Sequence, residues 1–126
     1  MQGPREIAES YWRAEMRRDL QGILEHYAED AELLVPQLGS LVGHDAIRKF
    51  YEPSIAHYPA LVVEIRRSVE DGPLAAIEWS SVHTDVEGNT YPCLGVNVIE
   101  VSDGRFKTVH VYYDPSVFAD RRLSAL

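Results

Sequence analysis

Two side chains in this sequence are out of keeping with their immediate neighbours. Glu78 stands between Ile77 and Trp79, and Asn97 stands among Val96, Val98 and Ile99. A carboxylate flanked by apolar residues must be paired or have its pKa raised, and a raised pKa suits a general acid or base near neutrality. A structural ion pair with an arginine or tyrosine is the plainer role for Glu78. A buried amide demands hydrogen-bond partners, from a ligand or from an internal network. Tyr11 falls on an apolar helical stripe, where its hydroxyl must be satisfied, and Glu15 follows one turn later beside Arg18 and Asp19. Glu15 could meet the mouth of the same pocket, but a solvated helix face is the ordinary place for it.

Other chemistries lack their residues. There is no GxGxxG, GxxxxGK[ST] or GxSxG, and Gly39-Ser40-Leu41-Val42-Gly43 has the wrong spacing for a nucleophile elbow. His26, His44, His57, His83 and His110 are scattered, and the single Cys93 has no partner for a disulfide or a metal-type spacing. No metal and no cofactor are therefore expected. Any reaction falls to side-chain acids, bases and hydrogen-bond donors inside a pocket.

The elements that must position these groups are legible from periodicity. Ile7, Ala8, Tyr11, Trp12 and Met16 recur at helical spacing over 5–18, and Asp19 can cap a short helix burying Leu20, Ile23, Leu24 and Tyr27. Ala31 to Val35, stopped by Pro36, reads as a short strand, with Gly39, Ser40 and Gly43 in the loop after it. A third helix presents Ile47, Phe50, Tyr51 and Ile55, with Pro53 expected to bend or interrupt it. After Pro59 the period becomes 2, with Leu61, Val63, Ile65 and Val69 on one face. Strands over roughly 74–86, 91–101 and 105–113 follow, with turns at Gly88-Asn89 and Asp103-Gly104, so an antiparallel meander is the simple topology.

The 126 residues, 14.3 kDa, fit one domain with one core. A formal charge of −8 disfavours nucleic acid and anionic membranes as partners. A polar start without an apolar signal core, no run long enough to span a bilayer, and one cysteine make the reducing cytoplasm the expected location.

Asp19-Leu20-Gln21-Gly22-Ile23 before Tyr27-Ala28-Glu29-Asp30-Ala31, then Gly43-His44-Asp45-Ala46-Ile47-Arg48-Lys49-Phe50-Tyr51, Glu78-Trp79, and Asp103-Gly104-Arg105-Phe106 leading to Tyr113-Asp114 carry a family likeness. Over nearly its whole length the chain resembles the nuclear transport factor 2-like, or SnoaL-like, superfamily, which includes ketosteroid isomerase, polyketide cyclases and limonene epoxide hydrolase. The resemblance implies an α+β, cone-shaped fold, with three N-terminal helices packed on the concave face of a strongly curved, mostly antiparallel sheet. It covers 1–126 as a single domain, with a core over about 5–115 and a C-terminal tail over 116–126. Tyr11 and Tyr51 fall where ketosteroid isomerase keeps its oxyanion-binding tyrosines, and Asn97 falls where that enzyme has a protonated Asp. The isomerase's base aligns with Val35, and the epoxide hydrolase Arg and two Asp align with Glu78, Ser80 and Val111, so neither catalytic set is complete.

The resulting expectation is a cofactor-free enzyme of isomerase, cyclase or dehydratase type acting on a small hydrophobic polyketide-, terpenoid- or steroid-like molecule. Glu78 would move the proton while Tyr11 and Asn97 hold the oxyanion. Trp12, Glu15, Phe50, Tyr51, Ser80, Val82, Val111 and Tyr113 would line the substrate site. An epoxide-opening enzyme using Glu78 and Glu15, and a non-catalytic binding or dimerisation module, are the alternatives. By alternation, Ile77, Trp79, Ser81, His83, Val96, Val98, His110 and Tyr112 would form an apolar convex face that a second copy covers. Asp114 would cap the strand end through an Asx-type bond.

Overall fold

The structure is a computed structural model and describes residues 2–121. Helix α1, Pro4–Met16, starts with Pro4 in its first turn, and the Gly3 N–H donates to Glu6 Oε1 at 3.2 Å. Its inner face buries Ile7, Ala8, Tyr11, Trp12 and Ala14. The helix ends in a Schellman turn: Asp19 N–H donates to the Ala14 carbonyl at 3.0 Å and Arg18 N–H to that of Glu15 at 2.9 Å. The left-handed position of that turn, usually glycine, is Arg18, with φ 55°. Helix α2, Leu20–Glu25, is capped by Asp19, whose Oδ1 accepts from Gly22 N–H at 3.0 Å.

Strand β1, Tyr27–Val35, is longer than its apolar run suggests, and the segment read as a loop is strand β2, Gly39–Val42, paired antiparallel with β1. A tight turn closed by Leu38 N–H on the Val35 carbonyl, with Gly39 at φ 92°, makes the hairpin. Its polar, partly exposed edge strand carries no alternation to read. Helix α3, His44–His57, runs through Pro53 without interruption. Pro53 and Lys49, whose carbonyl it frees, are both exposed, so water can take the lost bond.

Strands β3 (Ala60–Asp71), β4 (Leu74–Thr84), β5 (Thr90–Ser102) and β6 (Arg105–Tyr113) form the meander, and β1 adds parallel to β6. The sheet order is β2-β1-β6-β5-β4-β3, unclosed, with the helices and the core on its concave face. This is the α+β architecture expected.

Two features of the sheet decide which residues face inward. In β3 the register shifts between Ile65, opposite Trp79, and Arg67, opposite Glu78. Arg66 is therefore a bulge residue, and beyond it the inward set changes parity. Val69, assigned to the buried face by simple alternation, is 74% exposed. In β4 the buried set is Ala75, Ile77, Trp79 and Ser81. The expected orientation of β4 is thus reversed, because Ile77 and Trp79 pair with Asn97 and Gly95 on the inward face of β5. A 3-10 turn, Pro115–Arg121, places Phe118, 1% exposed, against Tyr58 and His83. Residue 118 accordingly belongs to the core rather than to a tail, while 122–126 lie outside the described residues. Asp114 accepts from Ser116 N–H at 2.9 Å, an Asx bond as expected.

The β4–β5 turn is organised by Asp85. Its carboxylate accepts from the Tyr91 hydroxyl at 2.6 Å, from the Asn89 amide at 3.1 Å and from the backbone N–H of Asn89 and Glu87 at 2.9 Å each. These bonds, the Tyr91 one foremost, hold its pKa down to about 2. The folded pKa lies below the unfolded value, so the stabilisation is complete above the unfolded pKa and is lost as pH falls toward about 2. Melting curves recorded from pH 5 downward should show wild type losing Tm faster than Asp85→Asn. Equal slopes would show that the turn carries none of the acid sensitivity.

Candidate functional site

Between the helices and the concave face lies a cleft with a cavity volume of about 80 Å³. Helix α1 contributes Tyr11, Trp12 and Glu15 to its wall, and α3 contributes Phe50, Tyr51 and Ser54. The opposite wall is Leu61 and Val63 from β3, Trp79, Ser81 and His83 from β4, Cys93 and Asn97 from β5, and Val111, Tyr113 and Phe118. Of the residues expected there, Tyr11, Trp12, Glu15, Phe50, Tyr51, Asn97, Val111 and Tyr113 line the cleft.

Glu78, Ser80 and Val82 do not. They project from the convex face, the Val82 residue is 39% exposed, and Glu78 Oε1 accepts from Arg67 Nε at 3.1 Å with its side chain 40% exposed. Glu78 is thus the structural ion pair that was its plainer role. Ser81 and His83, expected on the outer face, point into the cleft instead.

The acid of the cleft is Glu15, whose side chain is 14% exposed rather than solvated. Burial raises its pKa, opposed by the bond from Tyr11 and by the charge of Arg18. Arg18, side chain 9% exposed, was missed entirely. Its left-handed backbone turns the side chain back behind the cleft wall, where Nη1 lies 3.8 Å from Glu15 Oε1 and Nη2 donates to Ser54 Oγ at 3.3 Å. A non-glycine residue in that conformation costs about 1 kcal/mol, a sign that the side chain is needed where it lies.

A chain of phenols leads away from Glu15. The Tyr11 and Tyr51 hydroxyls are hydrogen-bonded, and Tyr51 meets the Tyr27 hydroxyl at 2.7 Å. Each phenol carries one proton. Within this run each hydroxyl can donate to one neighbour and accept from another, and Glu15 lies close enough to Tyr11 for each to shift the other's titration. Burial first, then neighbouring negative charge, pushes the Tyr11 and Tyr51 pKa values well above the phenol range, so both stay protonated.

On the facing wall, burial followed by the charge of Arg18 lowers the His83 pKa to about 4, leaving a neutral imidazole. Its Nδ1 and the Ser81 hydroxyl are buried without hydrogen-bond partners. Burial raises the Cys93 thiol to about 11, which removes it as a thiolate nucleophile. Asn97 Oδ1 accepts from the Trp79 indole N–H at 2.8 Å. An indole only donates, so the bond fixes the amide orientation and leaves the Asn97 NH2 as the remaining donor. That placement depends on Gly95: a Cβ there would lie 2.2 Å from the Trp79 ring. Among the described residues no group of His, Cys, Asp and Glu could hold a metal ion.

The fold and cleft define an α+β pocket domain with a curved sheet and a helical lid wall. The chain belongs to the SnoaL-like domain family, whose model matches residues 8–109. No curated protein matches it significantly in sequence. Similar solved structures include an NTF2-like protein from Burkholderia pseudomallei (23% identity, all of both chains, TM-score 0.79). A ketosteroid isomerase-like protein from Catenulispora acidiphila, in complex with trimethylamine, has 16% identity over 94% of this chain and 92% of its own, TM-score 0.80. TerC, co-crystallised with polyporic acid, has 21% identity over 92% and 95%, TM-score 0.77. At these identities the likeness establishes the fold.

Gly95→Ala should drive the indole off β5 and release Asn97, destabilising the fold by about 1–3 kcal/mol as overpacking does. Urea denaturation together with a shifted tryptophan emission spectrum checks this. An unchanged midpoint and spectrum would mean that the indole does not depend on the missing methyl.

Proposed function

We propose that this protein is a cofactor-free acid–base catalyst of the isomerase, cyclase or dehydratase type, acting on a small, largely hydrophobic carbonyl compound. The observation that carries this reading is Glu15, a carboxyl buried in an apolar cleft, pKa raised, facing hydrogen-bond donors on both walls. Glu15 takes over the role that the sequence assigned to Glu78. In the proposed step the Glu15 carboxylate removes a proton from the carbon beside a carbonyl. The C–H electron pair moves into the new enolate, and Asn97 NH2 donates to its oxygen. As negative charge moves from Glu15 to the enolate, the enolate oxygen becomes the stronger acceptor, and the Tyr11 hydroxyl, which lines the same cleft, can turn to it. Glu15 then returns the proton at another carbon, or to a leaving hydroxyl. The similar fold of TerC was co-crystallised with a small organic acid, polyporic acid, which supports reading this cleft as a small-molecule site.

Epoxide opening by two acids is less favoured, because Glu15 is the only carboxylate lining the cleft among the described residues. Deuterium exchange of the α-protons of 2-tetralone in D2O, followed by NMR, tests the reading. The protein should accelerate exchange, Glu15→Gln should reduce that acceleration on the order of 10²-fold or more, and Glu78→Gln should leave it unchanged. Full activity in Glu15→Gln would remove the proposal.

We also propose a homodimer on the convex face, with a corrected membership. Ile77, Trp79, Ser81 and His83 are withdrawn from it. Val62, Val82 and Leu94, exposed at 57%, 39% and 70%, join Val96, Val98 and Tyr112 of the expected set. Such a contiguous apolar face suits a two-fold copy of itself. His110, on that side, is held by Glu32 Oε1 at 3.1 Å. Sedimentation should give twice 14.3 kDa for wild type and a monomer for Leu94→Asp. A monomeric wild type at micromolar concentration overturns it.

A further inference from the structure

The inner end of the cleft has polar capacity that the acid–base step leaves unused. Ser81, 4% exposed, has a hydroxyl with no partner, and the neighbouring inward residue of β4, His83, has an unpartnered, buried Nδ1. Across from them, Ser54 Oγ accepts from Arg18 Nη2, which leaves the Ser54 O–H free to donate into the cleft. Behind Ser54 lies an under-neutralised cation. Among the described residues Arg18 has one ion-pair partner, Glu15, and their 3.8 Å separation is well beyond the roughly 2.7–2.9 Å of a charge-assisted hydrogen bond. Nη1 also donates to the Glu15 backbone carbonyl at 3.2 Å, a neutral partner that leaves the charge uncompensated, and Nε is buried without any partner. A buried guanidinium in this condition is expensive unless an anion compensates it, and orphaned buried hydroxyls call for an acceptor. The remaining walls are aromatic: Trp12 and Phe50 on the helical side, Trp79, Tyr113 and Phe118 on the other.

We infer that the cleft binds a flat aromatic acid, its anionic oxygens seated between Ser54, Ser81 and His83 and its charge balanced by Arg18 directly behind Ser54. This rests on the reading of the cleft as a small-molecule site and names the substrate class. Ser54 and Ser81 donate their hydroxyl protons to the anion, and His83, neutral at physiological pH, donates through whichever ring nitrogen carries hydrogen. The aromatic body then extends from this end along the apolar wall toward Asn97 and Tyr11.

The test is calorimetric titration of the full chain with 2-naphthoate and with 2-naphthamide, its neutral isostere. Naphthoate should bind about tenfold more tightly, a preference of roughly 1.4 kcal/mol. Arg18→Met should abolish that preference while leaving naphthamide affinity unchanged. Should Arg18→Met fail to fold by circular dichroism, Ser81→Ala replaces it: the lost hydroxyl has no protein partner, so the fold is kept, and naphthoate affinity should fall several-fold and by more than that of naphthamide, whose carbonyl accepts the same bond more weakly. Naphthamide binding as tightly as naphthoate, or either folded variant keeping the full preference, overturns the assignment. Binding of naphthamide alone leaves the cleft a ligand site and removes only the anion subsite. Failure of both probes to bind removes both readings.

Discussion

The Trp79 indole lies across β5 at the one place on that strand where the side chain has been reduced to hydrogen. Without a Cβ on Gly95 the ring settles against the backbone and hands its N–H to Asn97; with one, the two would overlap at 2.2 Å. Much of the site follows from that packing. With Trp79 inward, Ile77 opposite Asn97, Ser81 and His83 must also be inward, and Glu78, Ser80 and Val82 must be outward. The same ring, through Asn97, orients an amide donor that would otherwise be an under-satisfied group in an apolar sheet. A single residue type thus sets the parity of a strand, the identity of the polar groups in the cleft, and the direction of a donor.

A second constraint runs against stability. Arg18 occupies a left-handed position that glycine would fill without strain, and its charge is buried with a loosely placed counterion. Neither feature helps folding, since a buried pair seldom recovers its desolvation cost unless its geometry is good. Together they keep a positive charge behind the cleft wall, which holds the proton affinity of Glu15 below what burial alone would give.

Periodicity revealed most of the architecture. The apolar stripe of α1, the Asp19 cap and the Gly88-Asn89 and Asp103-Gly104 turns are local signals, and local physics honours them. The parity of β4 was misassigned because likeness to the relatives placed Glu78 in the pocket, against a binary pattern in which Ile77 and Trp79 form the more apolar face. Gly95, distant in sequence, agrees with that pattern by making room for the inward Trp79 ring. Val69 was misassigned because a bulge at Arg66 leaves no mark in hydrophobic alternation. Glu15 was legible: it falls one turn beyond Tyr11 and two beyond Ala8, on the buried stripe, and a general preference of glutamate for the surface outweighed that spacing. Arg18 gave no signal, since nothing in a run of two arginines foretells a left-handed turn. Family likeness located Tyr11, Tyr51 and Asn97 but could not supply a base, because the relatives' bases have no counterpart here.

The tyrosine chain bears on which reactions within the family such a site suits. Tyr27 is 1% exposed and hydrogen-bonded to Tyr51, which is hydrogen-bonded to Tyr11, so the phenols form a closed run whose far end is buried. With a ligand seated in the mouth of the cleft, Glu15 exchanges its proton with the ligand more readily than with water. A base in that position is suited to returning the proton it took. On the proposed reading, this favours transfers within one molecule, such as isomerisation and ring closure, over hydrolysis, where water must enter and a second acid must guide it. An anionic substituent held near Arg18 would add to this. It would sit opposite the developing enolate end and fix which carbon faces Glu15, so that the charge the fold strains to bury becomes the element that sets orientation.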